Sequence, residues 1–222
     1  MDIIKTIYSR RSIRCFKSDP IDRHILTEIL EAAAKSPSAT NAQPWSITVV
    51  TGEKLEQIKQ GNLKMLSSGV EPNPDVLMKP PEGIYQQRRE ILVSKLMELM
   101  GIAREDKDSR LKWTEAGLLF FNAPVVLILS ADKSLDESRT QFDMGIITQS
   151  ICLAAVKYNL GTCIQRQGVY FPDSLRQVTN IPESQRTTIA IPIGSPDWDS
   201  PANSLESERE PLDSFVTWHG FD

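Results

Sequence analysis

At 222 residues, 40% hydrophobic and 24% charged, the chain can form one good-sized domain with a real core and has an ordinary globular composition. Its formal charge of −4 excludes a general nucleic-acid binder, which would carry a basic surplus. No apolar run approaches the roughly 20 residues that span a bilayer, so no membrane association is expected.

The opening stretch, MDIIKTIYSRR, lacks the basic-then-apolar layout of a signal peptide. Cys15, Cys152 and Cys163 are odd in number and widely spaced, and read as reduced, mostly buried thiols of a cytoplasmic protein. With His24 and His219 they show neither CxxC nor HExxH spacing, so no metal site is expected.

In chain order, residues 2–9 read as a short helix with Ile3, Ile4 and Ile7 on one side, and a basic run follows. Asp22 reads as the cap of a helix over 23–35, whose Ile25, Leu26, Ile29, Leu30 and Ala33 recur at helical spacing until Pro37 stops it. After a polar loop, Trp45–Thr51 is β-branched and apolar enough for a strand, and Trp45 is expected to open it from the core. A weak helix is expected over 54–66, irregular chain over 67–83, and a long charged amphipathic helix over 84–101. Solvated chain at 104–110 then leads into a short helix over 112–121. Val125–Ser130 is continuously apolar, as in a central strand. The helix over 140–159 is apolar on most of its surface and is expected to be buried by its own domain or a partner, with Gly161 closing it. A short strand at 162–165, a helix at 172–179 and a strand at 187–193 follow. The segment from 194 onward is long and irregular, and its Phe215, Trp218 and Phe221 must pack on something. Helices with about four strands imply an α+β sandwich around one mixed sheet.

The chemistry concentrates in Arg10-Arg11-Ser12-Ile13-Arg14-Cys15-Phe16. Three guanidinium groups and a hydroxyl within five residues suit phosphate oxygens, which an arginine fork engages in pairs. In extended chain, residues 10, 12 and 14 point to one side while Ile13 and Cys15 point to the other. Taken alone, such a cluster also reads as a solvated basic patch. There is no GxGxxG after a strand, no GxxxxGK[ST] and no GxSxG, so phosphate binding would rest on arginines and local backbone. Asn41 and Gln43 read as loop amides, Cys163 as a small buried hydrophobe and His219 as a tail residue. Gln149 could hydrogen-bond at an interface. Arg88 or Arg89, on the middle helix, could attract a carboxylated substrate if that helix caps a pocket.

The blocks Arg10-Arg11-Ser-Ile-Arg14-x-Phe16 and Ser36-Pro-Ser-Ala-Thr-Asn-Ala-Gln-Pro-Trp45 resemble the opening signatures of the FMN-dependent nitroreductase family. Ser207-Glu-Arg209-Glu-Pro-Leu with Thr217-Trp-His-Gly-Phe221 is similar to the end of its nitroaromatic and nitrobenzoate reductase branch. The resemblance implies a single domain over 1–222, with 67–115 a variable insertion near the active site. It implies an α/β sandwich around a mixed, mainly antiparallel sheet, with a C-terminal tail embracing the partner of a homodimer and FMN at the subunit interface. Arg10, Ser12 and Arg14 match residues that hold the FMN phosphate and ribityl chain, Arg11 a position that contacts the flavin pyrimidine, and Arg209 the late basic residue that closes on the same phosphate. Pro37 and Ser38, with Asn41 nearby, match a loop reaching the flavin from the second subunit. Gln167 and Gly168 match a loop whose backbone N–H faces flavin N5. Where the family often has a second basic residue two before Arg209, this chain has Ser207. The implied activity is ping-pong reduction of nitroaromatics, quinones or similar acceptors by NADH or NADPH. The flavin carries the chemistry, and no catalytic side chain is assigned. Reductive dehalogenation, flavin cleavage or substrate dehydrogenation on the same flavin site, and a non-enzymatic phosphate or nucleotide sensor, are the alternatives.

Overall fold

The run from Val125 to Ala131 offers no polar face to water, so it must lie where both faces are covered. In the structure, a computed structural model that describes residues 2–221, it becomes the second of four strands. In chain order the elements are α1 (Ile3–Ser9), α2 (Arg23–Ala33), β1 (Ser46–Thr51), α3 (Gly52–Ser67), α4 (Gly83–Leu99), α5 (Lys107–Leu118), β2 (Val125–Asp132), α6 (Glu137–Lys157), β3 (Gly161–Thr162), α7 (Pro172–Thr179) and β4 (Gln185–Gly194). The sheet order is β1-β2-β4-β3, and its ladders among the described residues are antiparallel. The parallel component expected of a mixed sheet reduces to one bridge, Ser12 to Thr162.

The period of two along β2 builds both halves of the core. Val125, Leu127 and Leu129 face α2 and α6, meeting Leu26, Ile29, Ala33, Ile147, Ile151 and Ala155; Trp45 packs against this cluster from the start of β1. Val126 and Ile128 face the other way, toward Leu55 and Ile58 of α3, Leu175 of α7 and Phe120. Each such side chain contributes roughly 1.5–3 kcal/mol when fully buried. The sandwich expected from the element pattern is therefore present, with β2 and β4 at its centre.

Several boundaries differ from the sequence reading, for local reasons. α5 begins at Lys107 rather than 112, because Asp106 caps it by accepting from the Ser109 N–H at 3.0 Å. α6 begins at Glu137, capped by Asp136. Its far end is closed by Asn159, which takes φ +56°, and not by Gly161, which already belongs to β3. The expected strand over 162–165 is a two-residue β3 and a separate bridge from Gln165 to Ala190. Among the described residues no helix is long and apolar enough to cross a membrane, and all three cysteines are free.

The irregular chain between α3 and α4 is fastened at Asp75. Its Oδ2 accepts from the Thr187 N–H at 2.7 Å, from Thr187 Oγ1 at 2.8 Å and from Arg176 Nη2 at 2.7 Å. Arg176 is buried, its side chain at 7% exposure, and Asp75 is partly buried at 11%. Burial pushes the Asp75 carboxyl up, but the Thr187 and Arg176 bonds outweigh it and hold the group below its ordinary range. The resulting stability is complete above the ordinary Asp value of about 4 and is lost as pH falls through the lower folded value. Asp75→Ala leaves Arg176 with the exposed Asp173 and Glu183 and with Gln185 O, and removes the acceptor of Thr187, so it should cost about 1–3 kcal/mol in urea unfolding at pH 7. The gap to the unmodified protein should narrow as the measurement is repeated below about pH 4.

Candidate functional site

An alternation of arginines and small residues becomes a site only when something fixes which side faces outward. Ile13 does so here. Its N–H donates to the Thr162 carbonyl at 2.9 Å, laying the run against β3 as a rudimentary extra strand. Its side chain is 1% exposed and packs with Phe16, Phe121, Ala123 and Cys163. The approach requires glycine at 161: a Cβ there would collide with the Ile13 side chain and stand 2.9 Å from the Pro196 ring. The expected alternation holds through Arg14 and then breaks. Phe16 also turns into the core, while Cys15 is half-buried with its Sγ 3.7 Å from Asp197 Oδ2.

The same run is zipped to the start of the C-terminal segment. The Lys17 N–H donates to Ser195 O at 2.9 Å and the Asp197 N–H to Cys15 O at 3.1 Å. Asn203, 1% exposed, accepts from the Arg14 N–H at 2.7 Å and donates to Cys15 O at 2.8 Å and Asp197 O at 2.7 Å. Arg11 reaches across to the same segment. Its Nη2 donates to Ser204 O and Leu205 O at 3.2 and 3.0 Å, and its guanidinium lies 5.9 Å from the Trp198 ring centroid. The Arg11 side chain thus ties down the tail, leaving its backbone for any ligand contact.

On the solvent side of the run lies a cavity of about 930 Å³. Its lining brings together Arg10, Ser12, Arg14 and Arg209, with Tyr8, Gln149, Ile164 and Trp198 around them. Among the described residues, none of the Arg10, Arg14 and Arg209 guanidiniums has a carboxylate within 4.0 Å. The nearby thiols do not compensate them. Burial pushes Cys163 up to about 11, against the pull of Arg14 and Arg10, and pushes Cys152 up as well. Three unneutralised guanidiniums and a hydroxyl around one cavity fit a phosphate-bearing group.

The other expected residues lie elsewhere on this chain. Pro37, Ser38 and Asn41 do not line the cavity. Their loop is bound to α6 by the buried Asp143, which accepts from the Ala39 N–H at 3.2 and 3.3 Å, and by Ser36 Oγ donating to Ser150 Oγ at 2.7 Å. Arg139 Nη2 donates to Thr40 Oγ1 at 2.8 Å, holding Thr40 at φ +55°, a conformation that branched residues avoid. Gln167 and Gly168 are also outside the arginine cavity; from their loop it is Ile164 that lines it. Gln167 Nε2 donates to Thr114 O at 2.9 Å, and a Cβ at Gly168 would sit 2.5 Å from Phe120 Cε1 and 2.7 Å from Ala190 Cβ. That loop is accordingly locked to α5 and β4. Arg88 is paired with Glu210 at 2.8 Å, and Arg89 lines a separate cavity of about 660 Å³ with Arg104 and Arg110. The sequence does not mark Asn203, Gly161, Trp198 or Gln149 as site residues, because their places depend on contacts distant in sequence.

The α+β sandwich thus presents, beside its edge strand, an arginine cluster lining an open cavity, an arrangement that can accept an anionic ligand. The chain belongs to the nitroreductase family: residues 7–195 match the family described as "Nitroreductase family". It is 31% identical over 225 residues to 4-nitrobenzoate reductase of Pseudomonas putida, covering 100% of this chain and 97% of that one. The crystal structure of the FMN and NADPH-dependent nitroreductase NfnB from Sphigopyxis sp. strain HMH superposes with a TM-score of 0.95 at 30% identity, covering 100% of both chains. The FMN-dependent nitroreductase NfnB from Mycobacterium smegmatis, solved in complex with NADPH, gives a TM-score of 0.93 at 25% identity over 97% of each chain.

If Gly161 is what admits the arginine run to the sheet edge, Gly161→Ala should destabilise the protein by about 1–3 kcal/mol in chemical denaturation. Amide exchange of Ile13, whose N–H bonds Thr162 in the native chain, should rise in the same variant.

Proposed function

We propose that this protein is an FMN-dependent oxidoreductase that takes reducing equivalents from NADH or NADPH and delivers them to nitroaromatic or similarly electron-poor acceptors. One observation carries the reading: Arg10, Ser12, Arg14 and Arg209 converge on one open cavity with their charge unneutralised. The family membership and the FMN- and NADPH-dependent relatives support it.

Arg10, Arg14 and Arg209 would hold the phosphate, and Ser12 would add a hydroxyl to it or to the ribityl chain. Gln149 offers an amide donor and acceptor to the cavity, suited to a polar ring edge. Bound FMN supplies the electron exchange between nicotinamide and acceptor. The protein's share is to bind, orient and leave one ring face open, so donor and acceptor can visit in turn. The Gln167–Gly168 backbone, rigidly backed by Phe120 and Ala190, is the candidate N–H donor toward N5.

The functional unit we propose is a homodimer. α1 leaves Ile3, Ile4, Ile7 and Tyr8 exposed, and α6, which contacts it, leaves Phe142 exposed, so apolar surface is uncovered on both helices. Phe215, Trp218 and Phe221 of the tail are likewise exposed. A second copy would cover these surfaces and bring a Pro37–Ser38–Asn41 loop toward the cavity. The strained geometry at Thr40 supports a functional role for that loop.

Purified protein should be yellow, or should quench the fluorescence of added FMN. NAD(P)H should bleach it anaerobically, and a nitroarene should restore the colour. Arg10→Ala with Arg14→Ala should release FMN, with affinity falling at least a hundredfold for two charge-assisted contacts of about 1.5–3 kcal/mol each. A folded protein that neither contains nor quenches FMN overturns the assignment.

A further inference from the structure

The segment that carries Arg209 to the cavity is held from behind by α4. In Leu205-Glu-Ser-Glu-Arg-Glu210 a glutamate stands at every second position. An extended chain sends alternate side chains to opposite sides. Leu205, Ser207 and Arg209 line the cavity. Each glutamate meets a cation: Glu206 lies 3.6 Å from Arg11 Nη2 and also borders the cavity, Glu208 accepts from Lys95 Nζ, and Glu210 accepts from Arg88 Nε at 2.8 Å. Arg88 and Lys95 are seven residues apart, two turns of α4 and about 10.5 Å along one face. Glu208 and Glu210 are about 6.8 Å apart if extended, and the long side chains span the difference. Below this strap, Leu96 and Met97 of α4 pack on Ala202 and Leu205, which fixes its starting point.

We propose that Arg88 and Lys95 of α4 are positioning residues for cofactor binding: by pairing with Glu210 and Glu208 they set the strap so that Arg209 closes on the phosphate. The proposal rests on the reading of the cavity as a flavin phosphate site. With both pairs in place, Arg209 Nη1 donates to Ser207 O at 3.0 Å and to Glu208 O at 2.9 Å, so its Nε and Nη2 are the donors left to engage an anion. A single exposed ion pair does little. Two pairs flanking one arginine act on the same short segment and reinforce each other. The role differs from attraction of a carboxylated substrate by Arg88, since Glu210 already occupies that guanidinium.

The test compares FMN with riboflavin, which has the same ring and no phosphate. Dissociation constants come from quenching of flavin fluorescence, on the full chain at low salt. Glu208→Gln with Glu210→Gln should weaken FMN about five- to tenfold and riboflavin less than twofold. Arg88→Glu should weaken FMN similarly, and adding Glu210→Arg, which reverses the pair, should recover most of that loss. Unchanged FMN affinity in these variants, or an equal loss of FMN and riboflavin, overturns the proposal. An unmodified protein with no preference for FMN over riboflavin overturns the phosphate reading itself, and this proposal with it.

Discussion

One hydrogen bond, from the Ile13 N–H to the Thr162 carbonyl, orients everything the site depends on. With the Ile13 side chain sealed beneath it, the neighbouring Arg10, Ser12 and Arg14 are left at the edge of the cavity. A slip of one residue would exchange the two faces, placing guanidiniums in the core and isoleucine in water. Desolvating even one unpaired guanidinium costs several kcal/mol, so that register is effectively forbidden. Gly161 makes the bond geometrically possible, and Asn203 holds the downstream half of the run by bonding Arg14, Cys15 and Asp197 together.

The cost of this arrangement is mutual repulsion among like charges that, among the described residues, have no carboxylate within 4.0 Å. In a chain of net charge −4 there is no shortage of acids to neutralise them. Glu206 stands at the cavity itself, yet it pairs with Arg11. On the function proposed above, an anionic ligand would complete the cluster, and the cluster's field would draw that ligand in. Ligand binding then stabilises the fold by mass action, by about 2.7 kcal/mol at a hundredfold excess over its dissociation constant.

The central layers were legible in the sequence because they follow local periodicity. The apolar run at 125–130 announced β2, and helical spacing with Asp22 as cap announced α2. The gathering of Arg10, Ser12 and Arg14 at one cavity was legible because those residues alternate in adjacent positions. Boundaries set by capping were less so: Asp106 and Asp136 are ordinary acids until their carboxylates are seen accepting helical N–H groups. Gly161 looks like a helix terminator in one dimension and proves to be a clearance for Ile13 in three. Asn203 sits in Pro-Ala-Asn-Ser with no local pattern to mark it, and its meaning comes from partners up to 189 residues away.

That separation also explains how the site is assembled. Residues 10–14, 161–164 and 195–209 come together only when the chain is closed from end to end, since the first and last segments flank the same sheet edge. Few of the contacts in that closure are large apolar ones; past Leu205 the tail is held by ion pairs and backbone bonds near the surface. Segments with so little buried area open locally at a small fraction of the global stability. Arg209 rides on the least secured of the three, while Arg10 and Arg14 are locked to the sheet through Ile13. As a phosphate clamp, the role proposed above, the cluster would have one jaw anchored in the sheet and one secured by surface ion pairs. Such an asymmetry would suit a tightly held cofactor, because the jaw anchored through Ile13 would supply the orientation and the other would add charge.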